Sequence, residues 1–151
     1  MNEYLEEAQT EFKRVDHLIF VSLKYTRTVD VFQNIFERIS TCFDAAMGGF
    51  LQQLKDQGKI DEIPGAPRAR GELLKKHFAD DGEMQKYLDL FLFVRRLMKS
   101  TYTRRNEFRR HVTMTATLEG GQIFEVNIDR MHEYHTTLKN FIEYITPLLP
   151  E

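Results

Sequence analysis

The residues of this sequence whose types suit chemistry lie in one short stretch, from Lys99 to His111. Its arginines carry planar guanidinium groups, which stay charged and can donate two parallel hydrogen bonds to phosphate oxygens. Its histidine carries an imidazole, the side-chain group best suited to giving or taking a proton near neutral pH. Arg105, Asn106 and His111 place an anion clamp, an amide and an acid or base within seven residues. The stretch therefore predicts a site that binds phosphate and cleaves a phosphodiester.

The charge of the chain is concentrated around the same stretch. The formal net charge is −2, but residues 95–110, the cationic segment, contain seven basic residues and one acid, so this segment carries +6 and the remainder −8. A cationic segment in an otherwise acidic protein is typical of an anion-binding surface. We assign phosphate or RNA binding to the basic residues around the catalytic candidates. These residues are Arg104, Arg109, Arg110, Lys99 and Arg96.

The local geometry leaves the choice of arginine open. On a continuous helix, at about 100° per residue, Arg104 and His111 share a face, whereas Arg105 and His111 lie about 120° apart. Arg105 can join His111 only if the helix ends first, and the alternation that begins at Val112 favours such an end. The cationic segment could also be neutralised by acids elsewhere in the chain. Those acids are Asp61, Glu62, Asp80, Asp81 and Glu83.

The run Arg105-Asn-Glu-Phe-Arg-Arg-His111, which follows a strongly apolar helix, resembles the Arg-(four to six residues)-His motif of the HEPN superfamily, in which Asn commonly follows the Arg. Members of that superfamily are helical bundles that usually dimerise so that two motifs face each other, and many are metal-independent ribonucleases. The similarity covers these seven residues in motif and most of the chain in architecture. A common version of the motif ends His-x-Tyr, whereas Thr113 stands in the place of that tyrosine here.

The resemblance implies attack by the RNA 2′-hydroxyl on its own phosphate, which leaves 2′,3′-cyclic phosphate ends and excludes DNA as a substrate. His111 would act as general acid or base, Arg105 would clamp the phosphate, and Asn106 would orient one of them. It also implies a homodimer, no cofactor and no metal, and it raises a cognate antitoxin or nucleotidyltransferase as a partner. The alternative function is a non-enzymatic module that binds a protein through apolar helix faces, with the arginines as a charged rim.

The remaining histidines allow other sites. His132 and His135, three residues apart on a predicted helix, would form a metal-binding face with Asp129. Two histidines on a polar helix face are more often solvated, so we predict no metal. His17 lies close in sequence to Arg27, around a predicted break between helices. We predict that these polar residues form a hydrogen-bonded helix junction. The alternative is that they line the same cleft as His111.

Length and composition predict one globular domain, residues 1–151. The chain is 42% hydrophobic, enough to bury a core. The lone cysteine, Cys42, lies in an apolar run and is predicted to be a buried thiol. The N-terminal residues are acidic, unlike a secretory signal, and no stretch approaches the roughly 20 apolar residues of a membrane span. We therefore expect a cytoplasmic protein that does not enter the membrane.

Apolar residues recur at three- and four-residue steps through most of the chain, which predicts a mainly α, antiparallel helical bundle of four to five helices. The β-branched cluster Tyr25–Val29 predicts a break between the first two helices. Asp30 with Gln33 then predicts a capping box. Gly48-Gly49 predicts either a bend or a close helix contact in the second helix.

In the second half of the chain, the spacing of the apolar residues changes. Pro67 predicts the start of a short helix, because proline is favoured at the first helical position. Residues 112–118 and 124–128 alternate strictly between apolar and polar, with two glycines between them. This pattern predicts one β-hairpin near residues 112–128. A last amphipathic helix is predicted from Asp129 onward.

Overall fold

The computed structural model describes residues 2–150 and confirms a mainly α fold with a small antiparallel sheet. The apolar repeats form five long helices, which are α1 (Glu3–His17), α3 (Val29–Asp56), α4 (Pro67–His77), α5 (Gly82–Lys99) and α6 (Ile128–Ile145). A single helical turn, α2 (Leu23–Tyr25), lies between α1 and α3. Helix α3 is central, because it packs against α1, α4 and α5 and buries apolar residues along its whole length.

The first predicted helix changes its winding before it ends. After α1, residues Leu18–Ser22 form a π-helical turn, in which the Leu23 N–H donates to the Leu18 carbonyl. Thr26 then leaves the helical region, with φ −130° and ψ 87°. The break predicted at Tyr25–Val29 is confirmed, whereas the π turn was not predicted. Such turns occur frequently at functional sites.

Helix α3 is capped by Thr28, so the predicted capping box of Asp30 and Gln33 is wrong. Thr28 Oγ1 accepts a hydrogen bond from the Val31 N–H at 3.3 Å. The Asp30 carboxylate instead lies 2.9 Å from the Arg104 guanidinium. The Gln33 amide donates to a methionine sulfur of the sheet at 3.3 Å. The side chains of both residues contact the sheet instead of the helix end. No local sequence pattern encodes these contacts.

The glycine pair of α3 marks a close helix contact and not a bend, since the helix continues through it. A Cβ at Gly48 would lie 3.2 Å from the Tyr4 ring. A Cβ at Gly49 would lie 3.0 Å from the Leu149 side chain and 3.1 Å from Tyr4. The missing side chains let both chain termini pack against α3.

Helices α4 and α5 begin where their start signals lie. Pro67 occupies the start of α4, as predicted, and Asp81 accepts an N–H from the first turn of α5 at 3.0 Å. Helix α5 packs against α3, α4 and α6. The Phe43 ring lies 5.6 Å from Phe91 and 4.6 Å from Phe141. These aromatic contacts join α3, α5 and α6 into one core.

The predicted hairpin is confirmed, and it belongs to a three-stranded sheet. Strands β2 (Thr113–Thr117) and β3 (Ile123–Val126) pair antiparallel, and β1 (Thr101–Arg105) pairs with β2 on its other side. Strand β1 was not predicted, although its Thr-Tyr-Thr start has the β-branched and aromatic residues of a strand. Because side chains alternate along a strand, Tyr102 packs on the core while Arg105 lies on the opposite face.

Cys42 is fully buried, which confirms its predicted role. Its thiol donates to the Ala8 carbonyl at 3.2 Å and ties α3 to α1. Burial, together with the negative charge of Glu11, raises the pKa of the Cys42 thiol far above its ordinary value. The thiol is therefore a structural group and not a nucleophile.

Candidate phosphate-binding site

The predicted motif lies in the turn between β1 and β2, residues 106–112. Asn106 and Phe108 have φ of 57° and 66°, in the left-handed region that residues other than glycine rarely adopt. The Phe108 N–H donates to the Arg27 carbonyl at 2.7 Å, and the Arg109 N–H donates to the Asn106 carbonyl at 3.2 Å. Left-handed residues cost about 1–3 kcal/mol each, and they persist only where the surroundings hold them. The turn is thus held in a strained shape against the connection between α2 and α3.

Glu107 is a second anchor of this turn. Its carboxylate accepts the backbone N–H of Val29 at 3.0 Å and lies 3.6 Å from Arg104. Val29 begins α3, where backbone N–H groups have no partner within the helix and the helix dipole favours a negative charge. The motif and the start of the central helix are therefore coupled.

We expect Glu107→Ala to lower the stability by about 0.5–2 kcal/mol, the usual effect of removing a cap. For a chain of this length that corresponds to a fall of about 1–8 °C in the melting temperature. Thermal unfolding followed by circular dichroism measures it. Glu143→Ala, at an exposed position of α6, is the matched control. Equal shifts in the two variants would show that Glu107 does not anchor the turn.

His111 opens into a pocket of about 540 Å³, here called the phosphate pocket. Its polar lining brings together two guanidiniums, two imidazoles, a hydroxyl, an amide and a carboxylate. These groups belong to Arg27, Arg110, His111, His132, Thr113, Asn127 and Asp129. A volume of about 300–1,000 Å³ is usual for clefts that bind small ligands. The pocket therefore has both the size and the functional groups to hold a phosphate linkage.

Three separate parts of the chain build the phosphate pocket. The β1–β2 turn and the start of β2 contribute Arg110, His111 and Thr113, and the Thr113 hydroxyl donates to the His111 carbonyl at 2.8 Å. The α2–α3 connection contributes Arg27. The start of α6 contributes His132 and the capping Asn127. Both histidines are exposed, so a ligand in the pocket can reach them.

Arg27 carries an unusual buried donor. Its Nε is buried and, among the described residues 2–150, has no hydrogen-bond partner. A buried donor that lacks a partner costs about 1–3 kcal/mol. Arg27 also lines the phosphate pocket. Because Nε is buried, the hydrogen bonds that Arg27 can donate to an anion in the pocket come from the terminal nitrogens of its guanidinium.

The structure divides the predicted arginines between different surroundings. Arg104 forms an ion pair with Asp30, and the hydrogen bond that its guanidinium donates to that carboxylate is the main reason why the pKa of Arg104 is raised. The Arg105 guanidinium lies 3.7 Å from Glu125 and is not among the residues that line the phosphate pocket. Arg110 is the arginine of the motif that joins His111 there.

The acids that neutralise the cationic segment are not those predicted. Within residues 2–150, its ion pairs are with Asp30, Glu107 and Glu125. Of the predicted acids, Asp81 caps α5 and accepts from the Tyr144 hydroxyl at 2.7 Å. The reason is that β1 brings its arginines next to α3 and β3.

Arg96 and Lys99 line a second cleft of about 750 Å³, here called the cationic cleft. Four bases and two acids line it, which are Arg68, Arg95, Arg96, Lys99, Glu72 and Glu119. Thr101 pairs with Thr117 at this end of the sheet, and Arg105 pairs with Thr113 at the other. At the usual rise per residue the two ends of β2 are about 13 Å apart. One extended polyanion could thus reach both sites.

The histidines of α6 have separate roles. His135 is buried, its Nε2 lies 2.8 Å from Asp16 Oδ1, and its ring stacks on Phe12 at 5.2 Å. His132 and Asp129 point instead to the phosphate pocket. The described residues contain no group of three or more His, Cys, Asp or Glu side chains that could hold a metal ion. Sequence reasoning missed His132 as a companion of His111, because nothing local relates the two.

Comparisons with known proteins add no family assignment. No family model, no curated protein and no solved structure matches the chain. In the part of the chain that the structure describes, no helix is long and apolar enough to cross a membrane. Any functional conclusion must therefore come from the chemistry of the pocket itself.

Proposed function

We propose that this protein binds single-stranded RNA and cleaves it without a metal ion, in the phosphate pocket. In this proposal His111 and His132 exchange protons with the RNA, and Arg27 and Arg110 hold the phosphate. The observation that carries it is the meeting of two imidazoles and two guanidiniums in one open pocket. The exposure of His111 and His132 supports it, because a ligand in the pocket can reach both imidazoles.

The chemistry needs two proton transfers, for which two imidazoles suffice. One imidazole takes the proton of the ribose 2′-hydroxyl as its oxygen attacks the adjacent phosphorus. The other gives a proton to the departing 5′-oxygen, so that the products are a 2′,3′-cyclic phosphate and a 5′-hydroxyl. The guanidiniums neutralise the charge that builds on the phosphate oxygens. DNA lacks the 2′-hydroxyl and is bound but not cleaved.

This arrangement differs from the composite site that the HEPN resemblance implies. There, two copies of the motif face each other, whereas His132 of the same chain accompanies His111 in this pocket. The proposal therefore does not need a second copy. Membership of the HEPN superfamily, a homodimer, an antitoxin or nucleotidyltransferase partner, a cytoplasmic location, and clamp and orienting roles for Arg105 and Asn106 stay predictions.

A protein-binding module is the second candidate function, and exposed aromatic residues favour it. Tyr25, two residues before Arg27, is 78% exposed, and Phe108, whose N–H donates to the Arg27 carbonyl, is 75% exposed. Exposed aromatics beside cations also suit single-stranded RNA, because bases stack on them. Salt separates the two functions, since phosphate contacts weaken steeply as salt is added and apolar contacts do not.

The test of the proposed function is cleavage of a labelled single-stranded RNA in excess EDTA. We expect fragments that end in 2′,3′-cyclic phosphate, with a DNA strand of the same sequence left intact. RNA that stays intact across pH 5–9, or cleavage that EDTA abolishes, would refute the proposal. RNA binding that does not depend on salt would favour the protein-binding module.

We expect the cationic cleft to contribute a measurable part of the salt dependence of RNA binding. Each phosphate contact to a single strand contributes about 0.7 to the slope of log affinity against log salt. We expect the double variant Arg96→Gln and Lys99→Gln to lower that slope by about 1.4 for an oligonucleotide that reaches both sites. Fluorescence anisotropy between low and moderate salt measures it. The control replaces the exposed Lys86 and Lys139 in the same way, and a loss of the same size there would mean that the cleft binds no phosphate.

A further inference from the structure

We propose that the small apolar pocket beside the phosphate pocket is a subsite for a nucleobase, with Phe20 as its stacking surface. This inference rests on the proposed function for the position of the phosphate, but it does not require that the RNA is cleaved. The pocket, here called the base pocket, has a volume of about 340 Å³. That lies within the usual range of about 300–1,000 Å³ for small-ligand clefts.

The two pockets are adjacent. Arg27, Ile128 and His132 line both of them. A nucleotide whose phosphate lies between Arg27 and His132 would therefore have its base next to the side chains of the base pocket. This adjacency favours a ligand with an anionic part and a flat apolar part.

The walls of the base pocket suit a flat ring. Apart from the three shared residues, they consist of Ile19, Phe20, Leu23 and Lys24. The Phe20 ring is 47% exposed, and its orientation is fixed by edge contacts with His132 at 5.2 Å and His135 at 4.8 Å. An exposed aromatic ring held in place is what base stacking requires, and every base offers a face to it.

Phe20 lies in the π turn and is exposed there. Phe20 lies in the middle of Leu18–Ser22, where the winding is looser than in an α-helix. One extra residue in a turn shifts all later residues by about 100° around the axis. Ile19 and Leu23 are buried, while the ring of Phe20 stays at the surface.

Among the described residues, none that lines the base pocket has a carboxylate, and its cations are Lys24 and Arg27. Its lining therefore suits an anionic ligand and not a cationic or zwitterionic one. Few polar groups are present to read the edge of a base. We expect purines and pyrimidines to bind with similar affinities, because stacking discriminates weakly between bases.

The test compares ligands that share a phosphate and differ in the base. We expect adenosine 5′-monophosphate to bind the whole chain about 5- to 150-fold more tightly than ribose 5-phosphate, the range that stacking of one base produces. Isothermal titration in EDTA measures both. Phe20→Leu should abolish this difference, Phe20→Tyr should keep it, and Ile123→Ala, which removes an exposed apolar residue of β3, should leave it unchanged. Thermal unfolding of each variant verifies that it is folded.

The outcomes separate the subsite from the proposed function. Equal binding of the two ligands by the wild-type chain, or an unchanged preference in folded Phe20→Leu, overturns the base pocket even if RNA is cleaved. A preference that Phe20→Leu removes supports the base pocket even if RNA is not cleaved. A hexaribonucleotide shows whether the base pocket binds the bases of RNA or only free nucleotides. If the hexaribonucleotide binds more weakly than the mononucleotide, the pocket takes free nucleotides only. If an aromatic peptide binds and neither nucleotide ligand does, the pocket is a protein contact.

Discussion

Replacing His111 with alanine is expected to lower the rate of RNA cleavage in EDTA by about 10²- to 10⁴-fold, the usual contribution of one general acid or base. His111 is exposed and lines the phosphate pocket together with Arg110 and His132. Its loss removes one of two proton transfers and leaves the guanidiniums in place. The binding of uncleavable DNA should therefore change little, while the rate constant falls.

Two controls make this result specific. His77→Ala removes an exposed histidine of α4 that lies outside the pocket, and we expect it to cleave RNA at the wild-type rate. His132→Ala should resemble His111→Ala, but each variant should lose a different limb of the pH–rate profile, because one imidazole acts as base and the other as acid. If both His111→Ala and His132→Ala cleave as fast as His77→Ala, the two histidines are not the proton carriers.

Replacing Arg27 with methionine is expected to lower the cleavage rate by about 10²- to 10³-fold, the effect of removing one preorganised donor to a developing charge. Arg27→Lys should restore little of it, because an ammonium cannot donate in the planar geometry of a guanidinium. The same Arg27→Met change should leave the melting temperature unchanged or raise it. The reason is that the buried Nε has no acceptor among the described residues, so that its removal relieves a cost.

Arg105→Met is the informative comparison, because it tests the arginine that the sequence motif selects. The Arg105 guanidinium lies 3.7 Å from Glu125 on the outer face of the sheet. We expect Arg105→Met to slow cleavage by less than Arg27→Met does. If Arg105→Met has the larger effect on a folded chain, the motif identifies the clamp correctly and the assignment to Arg27 is wrong.

The sequence motif indicated only some of the residues that line the phosphate pocket. His111 and Arg110 are neighbours in sequence and reach the phosphate pocket together. Arg104 and Arg105 are also neighbours, but they lie on opposite faces of β1, and each is held by a different acid. A helix would have pointed the two side chains in other directions. Because β1 was not predicted, the sequence did not indicate which arginine accompanies His111.

The sequence by itself determined the elements whose cause is local. Pro67 starts α4 and the alternation of residues 112–128 makes a hairpin, because both signals act on backbone geometry within a few residues. Tertiary structure alone decided which side chains meet: Arg27 and His132 join His111 only because the turn packs on the α2–α3 connection and α6 begins beside it. Distant groups meet through packing of the whole core, which depends on the summed burial of many residues and not on any spacing along the chain.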